Sequence, residues 1–438
     1  MSFNKLGALR FIEENDVRFI KLQFCDILGE LKNIAISPNQ LSKAFDEGIP
    51  FDASSIKGLT TVDDSDLFLF PDPSTLCILP WRPQQGKVVR LFCDIKTSDG
   101  KPFIGDSRFI LKQTFEKAKK LGYIFKVGAE CEFFLFKTDL NGNPTLDPSD
   151  KANYFDVAPL DGGENTRREI CLTLEQMGFE IESSHHESAY GQHEIDFKYD
   201  NVIESADNIL VFKSVVKTIA NRNGFYASFM PKPIMNTSGS GMHINMSLYK
   251  DGQNIFDTKN TDTMPKEAQH FIAGILKHIN EITAIANPLV NSYKRLISGF
   301  EAPRYISWSF KNRSALIRIP SSNCGYHRIE LRSPDPTCNP YLTLALLLEA
   351  GIEGIQNKLP LIPELDLNTY NLSSSELLDL NIDSLPENLI TALDFMRQSE
   401  FIKNVLGPHL FNSYLKIKTK EWDIYKQTVH DWEIQNYL

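Results

Sequence analysis

The chain has 438 residues, 42% hydrophobic and 23% charged, with a formal net charge of −10. That composition is ordinary for a folded globular protein, and the length exceeds what one simple core supports, which predicts two domains. The acidic balance opposes direct binding of nucleic acid or of an anionic membrane. Seven cysteines (25, 77, 93, 131, 171, 324 and 338) are scattered and never spaced as CxxC. This argues for reduced thiols and against a disulfide framework or structural zinc. No apolar h-region opens the chain and no apolar run approaches the roughly 20 residues of a membrane span, so the expected location is cytoplasmic.

In chain order, residues 17–36 give two β-type runs around Asp26-Ile-Leu-Gly29, a hairpin signal. Residues 37–49 predict a short helix opening at Ser37-Pro38, followed by a polar loop, Phe51-Asp52-Ala-Ser-Ser-Ile-Lys-Gly58. Two strands follow, at 66–70 and 88–94, separated by proline-rich breakers. Residues 97–106 are the expected linker, dividing a small α+β unit (1–100) from a larger one (101–438). Helical patterns begin near Ser107 and recur at 163–177, 203–222, 342–356 and through most of 388–435. Alternating strands are predicted around 127–136, 243–248, 314–319 and 327–332.

The chemistry starts at Val127-Gly-Ala-Glu130-Cys-Glu132-Phe-Phe-Leu-Phe136. On a strand Glu130 and Glu132 share one face while Ala129, Cys131 and Phe133 take the other. Two like charges amid apolar neighbours are costly unless a cation lies between them. Other segments repeat the theme. His185-His186-Glu187 and Gln192-His193-Glu194-Ile-Asp196 flank a turn, and His243, Asn245 and Ser247 share a face, as do Arg328, Glu330 and Arg332. Singly, each is as well explained by a hydrogen-bonded core histidine or a surface ladder. Jointly, five glutamates and a histidine fit divalent cations that prefer hard oxygen ligands, magnesium or manganese over zinc. Basic residues gather nearby in sequence: Lys294, Arg295, Arg304, Lys311, Arg313, Arg318, Arg328 and Arg332. Guanidinium forks suit phosphate and carboxylate, and with metals they point to phosphoryl transfer.

The residues resemble type I glutamine synthetase over essentially the full chain. The resemblance rests on Phe51-Asp-Ala-Ser-Ser-Ile56, Glu130-Cys-Glu132-Phe-Phe-Leu-Phe, His185-His-Glu187 with Gly191-Gln-His-Glu194, and Gly239-Ser-Gly-Met-His243. It extends to Asn291-Ser-Tyr-Lys-Arg295, Phe300-Glu-Ala-Pro303, Asn312-Arg-Ser-Ala315 and Arg328-Ile-Glu-Leu-Arg332. It implies an α+β protein, with a small N-terminal β-grasp-like domain and a large catalytic domain whose curved antiparallel sheet is flanked by helices. It implies ATP-dependent joining of ammonium to L-glutamate with two or more Mg2+ or Mn2+ ions per site. Glu132, Glu187 and Glu194 would hold one metal and Glu130, His243 and Glu330 the other. ATP would meet Glu182, Tyr199, Asn245, Ser247, Arg313, Arg318 and Arg328. Glutamate would meet Ser238, Gly239, Arg295, Glu301, Arg313 and Arg332.

By the same resemblance Asp52, assisted by Asp66, would deprotonate ammonium on a loop reaching into a neighbouring subunit. Glu301 would close the entrance, and Arg313 would act on the transferred phosphoryl group. The implied assembly is a dodecamer of two hexameric rings, with nitrogen-regulatory proteins as candidate partners. The chain departs from the family pattern at Ala53, where glycine is usual, at Cys131 and Tyr190, where proline is usual, and at Ser238, where asparagine is usual. Tyr370 lacks the context expected of an adenylylation site, so no adenylylation is expected. The rivals are a γ-glutamyl-polyamine ligase of the same fold and a catalytically silent ring scaffold.

Overall fold

Apolar alternation along residues 17–36 folds as the expected antiparallel hairpin, β1 (Val17–Cys25) with β2 (Leu31–Ile36). Asp26 closes its turn by accepting the N–H groups of Leu28 and Glu30 at 3.0 and 2.9 Å. With β3 (Ile49–Asp52), β4 (Asp66–Pro71), β5 (Cys77–Ile78) and β6 (Lys87–Lys96) it forms a sheet in the order β2-β1-β6-β4-β3, β5 pairing with β6. Helices α1 (Lys5–Glu14) and α2 (Leu41–Asp46) place Ala8, Ile12, Leu41 and Ala44 in that sheet's core. The structure is a computed structural model describing residues 3–62, 65–82, 85–257, 264–297, 299–320, 328–372, 376, 380 and 382–438.

The helix expected over 37–49 is shorter: a 3₁₀ turn at Pro38–Gln40 runs into α2, and Gly48 (φ 75°) reverses the chain. Asp52 therefore ends a strand instead of standing in a loop, and it faces Asp66 directly across the β3–β4 pair.

The second sheet is built around β7 (Tyr123–Thr138), a 16-residue strand. Its other members are β8 (Pro144–Pro148), β9 (Ile181–His186), β10 (Gln192–Phe197), β11 (Asp200–Asn201), β12 (Phe225–Ser228), β13 (Met242–Lys250), β14 (Gln253–Asn254), β15 (Trp308–Phe310), β16 (Ile317–Ile319) and β17 (Ile329–Leu331). The main order is β15-β16-β17-β13-β7-β10-β9. The strand expected over 314–319 is confined to β16, because Asn312–Ser314 turn instead, with Asn312 Oδ1 accepting the Ser314 N–H and hydroxyl. His327 lies outside the described residues.

One face of this sheet is covered by α3 (Ser107–Lys120), α4 (Glu164–Gln176), α5 (Val202–Arg222), α6 (Lys266–Ala286) and α7 (Pro340–Gln356). Val127, Ala129, Cys131 and Phe133 of β7 join their apolar faces in the larger core. Burying that face holds the opposite, polar face open to one side. Three helices close the chain: α8 (Leu389–Gln398), α9 (Glu400–Tyr425) and α10 (Asp431–Tyr437). The α9 helix kinks at Gly407-Pro408, where Gly407 takes φ 73°.

Arg108 on α3 ties the two sheets together. It is 3% exposed and bonds Asp207 of α5 at 2.9 and 3.0 Å, Asp94 of β6 at 2.8 Å and Asp72 at 3.1 Å. Arg108→Ala leaves the buried Asp207 without its cation. The expected cost is about 3–5 kcal/mol of stability, read as a lower urea midpoint. Arg108→Lys keeps the charge but not the fork and should fall between the two.

Candidate active site

Four adjacent strands, β17, β13, β7 and β10, bring the polar positions together. The registers set His243 on one side of Glu130 and Asp196 on the other, Glu194 beside Glu132, and Arg318 beside Glu330. The predicted ligand Glu187 is on no strand; it stands in the turn between β9 and β10. Gly241 allows the closest approach, since its N–H donates to Glu132 Oε2 at 2.9 Å and an added Cβ would sit inside the Arg295 guanidinium.

A cavity of about 590 Å³ opens over this face. Glu130, Glu132, Glu187, Glu194 and His243 line it, as do Ser238, Gly239, Arg295, Glu301, Arg313 and Arg332. Glu330 lies just beneath, 1% exposed, paired with Arg318 at 3.1 Å and with Arg332. A second cavity, of about 550 Å³, takes Glu182, Tyr199, Asn245, Ser247 and Arg328. Arg313 and Arg318, expected with that nucleotide set, line the first cavity instead. Glu130 and Asp196 border both cavities, so the two share a wall.

Glu130, His243 and Glu330 offer ligand atoms that all lie within 4.8 Å of one another. Among the described residues Glu132, Glu187 and Glu194 do not together form a convergent set. His185 stands between Glu187 (3.4 Å) and Glu194 (3.6 Å) and instead groups with Glu194 and Asp196. Glu132 Oε2 is engaged by Gln192 and by the Gly241 N–H.

The electrostatics separate two kinds of acid. Burial pushes Glu130 up, but the His243 bond and charge, with Asn245 and Arg328, outweigh it and hold the carboxyl at about 2. Burial and then the charge of Glu132 push Glu187 up to about 8. Burial followed by Asp196 and Glu132 raises Glu194 well above the carboxylate range. Asp196 rises to about 6 through burial and the adjacent Glu130. Carboxylates that keep protons because they repel each other are a donor set suited to a divalent cation, and the oxygen-rich chemistry fits magnesium or manganese.

Several predicted residues fall elsewhere. Asp52 and Asp66 are exposed and line neither cavity of their own chain. Within the basic cluster, Lys294 faces Tyr425 and Arg304 pairs with Glu387, and Lys311 lines neither cavity. Arg295 is 2% exposed and spends its guanidinium largely on the carbonyls of Ser333 (2.8 Å) and Arg332 (3.0 Å). Sequence reasoning assigned no site role to Tyr154, Gln192, Phe300 or Tyr370, which also line the acidic cavity. Gln192 and Phe300 carried a signal for it, inside the quoted Gly191-Gln-His-Glu194 and Phe300-Glu-Ala-Pro303 blocks.

A small sheet joined to a larger helix-backed sheet, with two polar cavities that share acidic residues able to hold a metal, is the architecture of an enzyme. The glutamine synthetase β-grasp domain matches residues 16–98 and the glutamine synthetase catalytic domain matches residues 104–437. Glutamine synthetase of Clostridium saccharobutylicum is 53% identical over 437 residues, covering 100% of this chain and 99% of its own length. That of Methanosarcina mazei is 52% identical over 99% and 97% of the two chains. A GmaS–ADP complex superimposes with a TM-score of 0.89 at 31% identity, covering 98% of this chain and 99% of its own. Plasmodium falciparum glutamine synthetase gives 0.90 at 28% identity, covering 100% and 99%. The chain belongs to the glutamine synthetase family.

The raised acids set a pH dependence. Metal-free folded protein holds a proton on Glu187 up to about pH 8, whereas an unfolded glutamate loses it near 4.5. The folded state binds more protons in that window, so stability should fall as pH rises from about 5 to about 8. A divalent cation expels the proton, so its apparent affinity should rise over the same range. Melting temperatures with and without Mg2+ at pH 5, 6.5 and 8 test this, and Glu187→Gln should flatten the metal-free trend.

Proposed function

We propose that this protein ligates ammonia to the side-chain carboxylate of L-glutamate at the expense of ATP, giving L-glutamine, ADP and phosphate. The shared wall carries the reading. An acid held against Arg313 and Arg332 in one cavity would face a nucleotide in the other across Glu130 and Asp196, which line both. Full-length relatives at 50–53% identity that are glutamine synthetases support it, as does the ADP held by a GmaS of the same fold.

Two divalent cations, Mg2+ or Mn2+, would be held by Glu132, Glu187 and Glu194 and by Glu130, His243 and Glu330. When bound they supply charge neutralisation at the transferring phosphoryl group. The substrate γ-carboxylate attacks the terminal phosphorus and ADP leaves, an encounter of anions that Arg313 and Arg332 favour by neutralising charge. Glu182, Tyr199, Asn245, Ser247, Arg318 and Arg328 would orient the nucleotide. Ser238, Gly239 and Arg295 shape the glutamate end.

The γ-glutamyl phosphate so formed hydrolyses readily, so water must be excluded until ammonia arrives. Glu301 would close that entrance. Its carboxylate accepts from Ser188 and Ser238 at 3.3 Å each, and Arg332 donates to its carbonyl at 3.3 Å. Ammonium is not nucleophilic until it loses a proton, which Asp52 would accept with help from Asp66. Serine hydrogen bonds hold Asp52 below the usual carboxylate range, keeping it ionised.

Asp52 and Asp66 are exposed away from both cavities of their own chain, which favours a site completed by a neighbouring subunit and the dodecamer of two rings. Exposed Trp432, Ile434 and Tyr437 on α10 leave apolar surface for such contacts. The location read from the unpaired cysteines is the cytoplasm. Among the described residues no helix is long and apolar enough to cross a membrane. With a net charge of −10, regulation of nitrogen genes would pass through a regulatory protein rather than nucleic acid. An amine ligase of this fold is not favoured, given the relatives' activity.

Phosphate release and glutamine formation should both require glutamate, ATP, Mg2+ and ammonium; turnover with putrescine alone would sink the reading. Asp52→Ala and Glu132→Ala should each be inactive. Dissociated and reassembled together, they should regain about a quarter of parental activity if each site draws on two subunits randomly mixed in a ring. No recovery would show that Asp52 serves its own chain.

A further inference from the structure

Two of the three histidines in the 185–193 segment play no part in the chemistry above. His186 and His193 are directly opposed across the β9–β10 pair, both fully buried, with ring centroids 4.9 Å apart. Each immediately precedes a proposed metal ligand, Glu187 or Glu194, yet points to the back of the hairpin. Asp150, Asp161, His186 and His193 offer ligand atoms within 4.8 Å of one another. The Arg167 guanidinium fills this cluster, bonding Asp161 at 2.7 Å and His193 Nδ1 at 2.9 Å. The cluster is therefore an occupied ion network and not a further metal site.

Within it, Asp150 grips the Glu187 turn at both ends. One carboxylate oxygen lies 2.8 Å from His186 Nε2 and accepts the Gly191 N–H at 3.1 Å. The other accepts the Gly162 N–H at 3.1 Å and the Ser149 hydroxyl at 2.9 Å, tying the turn to the neighbouring loops. The opposite nitrogen of His186 lies 2.7 Å from the Glu187 carbonyl oxygen. Glu187 thus sits on an irregular turn, with its own backbone carbonyl bonded through one imidazole to a fixed carboxylate.

We propose that Asp150 and His186 are a positioning pair that holds the Glu187 turn in its metal-binding conformation. This rests on the assignment of Glu187 as a metal ligand under the proposed function. Partners of this kind behind a ligand commonly change metal affinity by 10–100-fold on mutation. Their effect falls on affinity, whereas saturating metal restores the occupied site and with it most of the turnover.

Calorimetric titration of the full-length, metal-free protein with Mn2+ tests this. Asp150→Ala should weaken Mn2+ binding by about 10–100-fold, and glutamine formation at saturating Mn2+ should recover to within about threefold of parent. Asp150→Asn retains an acceptor oxygen and should weaken binding less; it decides the matter if the alanine variant does not fold. Arg108→Ala controls for destabilisation alone and should leave Mn2+ affinity unchanged. Parental affinity in both Asp150 variants, or an equal loss in Arg108→Ala, would overturn the proposal. Glu187→Gln separates this from the underlying assignment. If it does not weaken Mn2+ binding, the ligand role itself is wrong; if it does while Asp150→Ala does not, only the positioning role fails.

Discussion

The structure depends on holding carboxylates closer together than they would choose to be. β-Sheet register fixes Glu194 against Glu132 and Asp196 against Glu130, and the strands cannot slip apart. Their backs, including Ala129, Cys131, Phe133 and Ile195, are locked in the main core. Two unit charges about 4 Å apart in a half-solvated site repel by roughly 4 kcal/mol. That exceeds the roughly 1 kcal/mol net from an ordinary hydrogen bond, so rearranging neutral partners cannot relieve it. A proton or a cation must, and the raised values at Glu187, Glu194 and Asp196 describe the protein when protons do so.

Compensation is uneven, and the unevenness organises the site. Glu330 is met by Arg318 and Arg332, and Glu130 by His243, so this side is neutralised in advance. Among the described residues the Glu187–Glu194 side is paired only with His185, whose own proton affinity burial lowers. The two sides are physically joined. Arg332 links Glu330 to the Glu301 carbonyl, Ser188 links the Glu301 carboxylate to the Glu187 turn, and the Ser188 N–H meets Glu187 Oε2 at 3.1 Å. Under the proposed roles of Glu301 and Glu187, closure over the cavity and the placement of a metal ligand would therefore share one set of contacts.

What was legible in the sequence was whatever local periodicity controls. The spacing of Glu130 and Glu132 with apolar residues between them fixed both strand and face, and His243-Ile-Asn245 did the same for β13. Long-range register was invisible, so nothing local revealed that Asp196 would stand beside Glu130 and border two cavities. The turn expected between His185-His186-Glu187 and Gln192 is present, with Gly191 at φ 65°, but its sequence does not show how far Glu187 stands from Glu132 and Glu194. Arg304 and Lys294 illustrate the converse error: proximity in sequence to Arg295 and Arg313 put them in the basic cluster, and tertiary packing points them elsewhere. The 266–286 segment went unassigned, although α6 buries Phe271, Ile275, Ile279 and Ile282 on the back of the sheet.

The departures from the family pattern can be read physically. Cys131 is fully buried on the apolar face of β7, where a cysteine supplies the backbone N–H that proline lacks and packs as a small hydrophobe. Ala53 is also fully buried, beneath the Asp52 strand end rather than at its exposed tip. Tyr190 is 47% exposed on the Glu187 turn, where it displaces no ligand. Ser238 is the one that reaches the site's working parts. Its hydroxyl meets the Glu301 carboxylate, the same oxygen that Ser188 meets from the opposite wall. Under the proposed role of Glu301, exchanging the family's amide for a hydroxyl would act first on how the entrance closes and only through that on how glutamate is held.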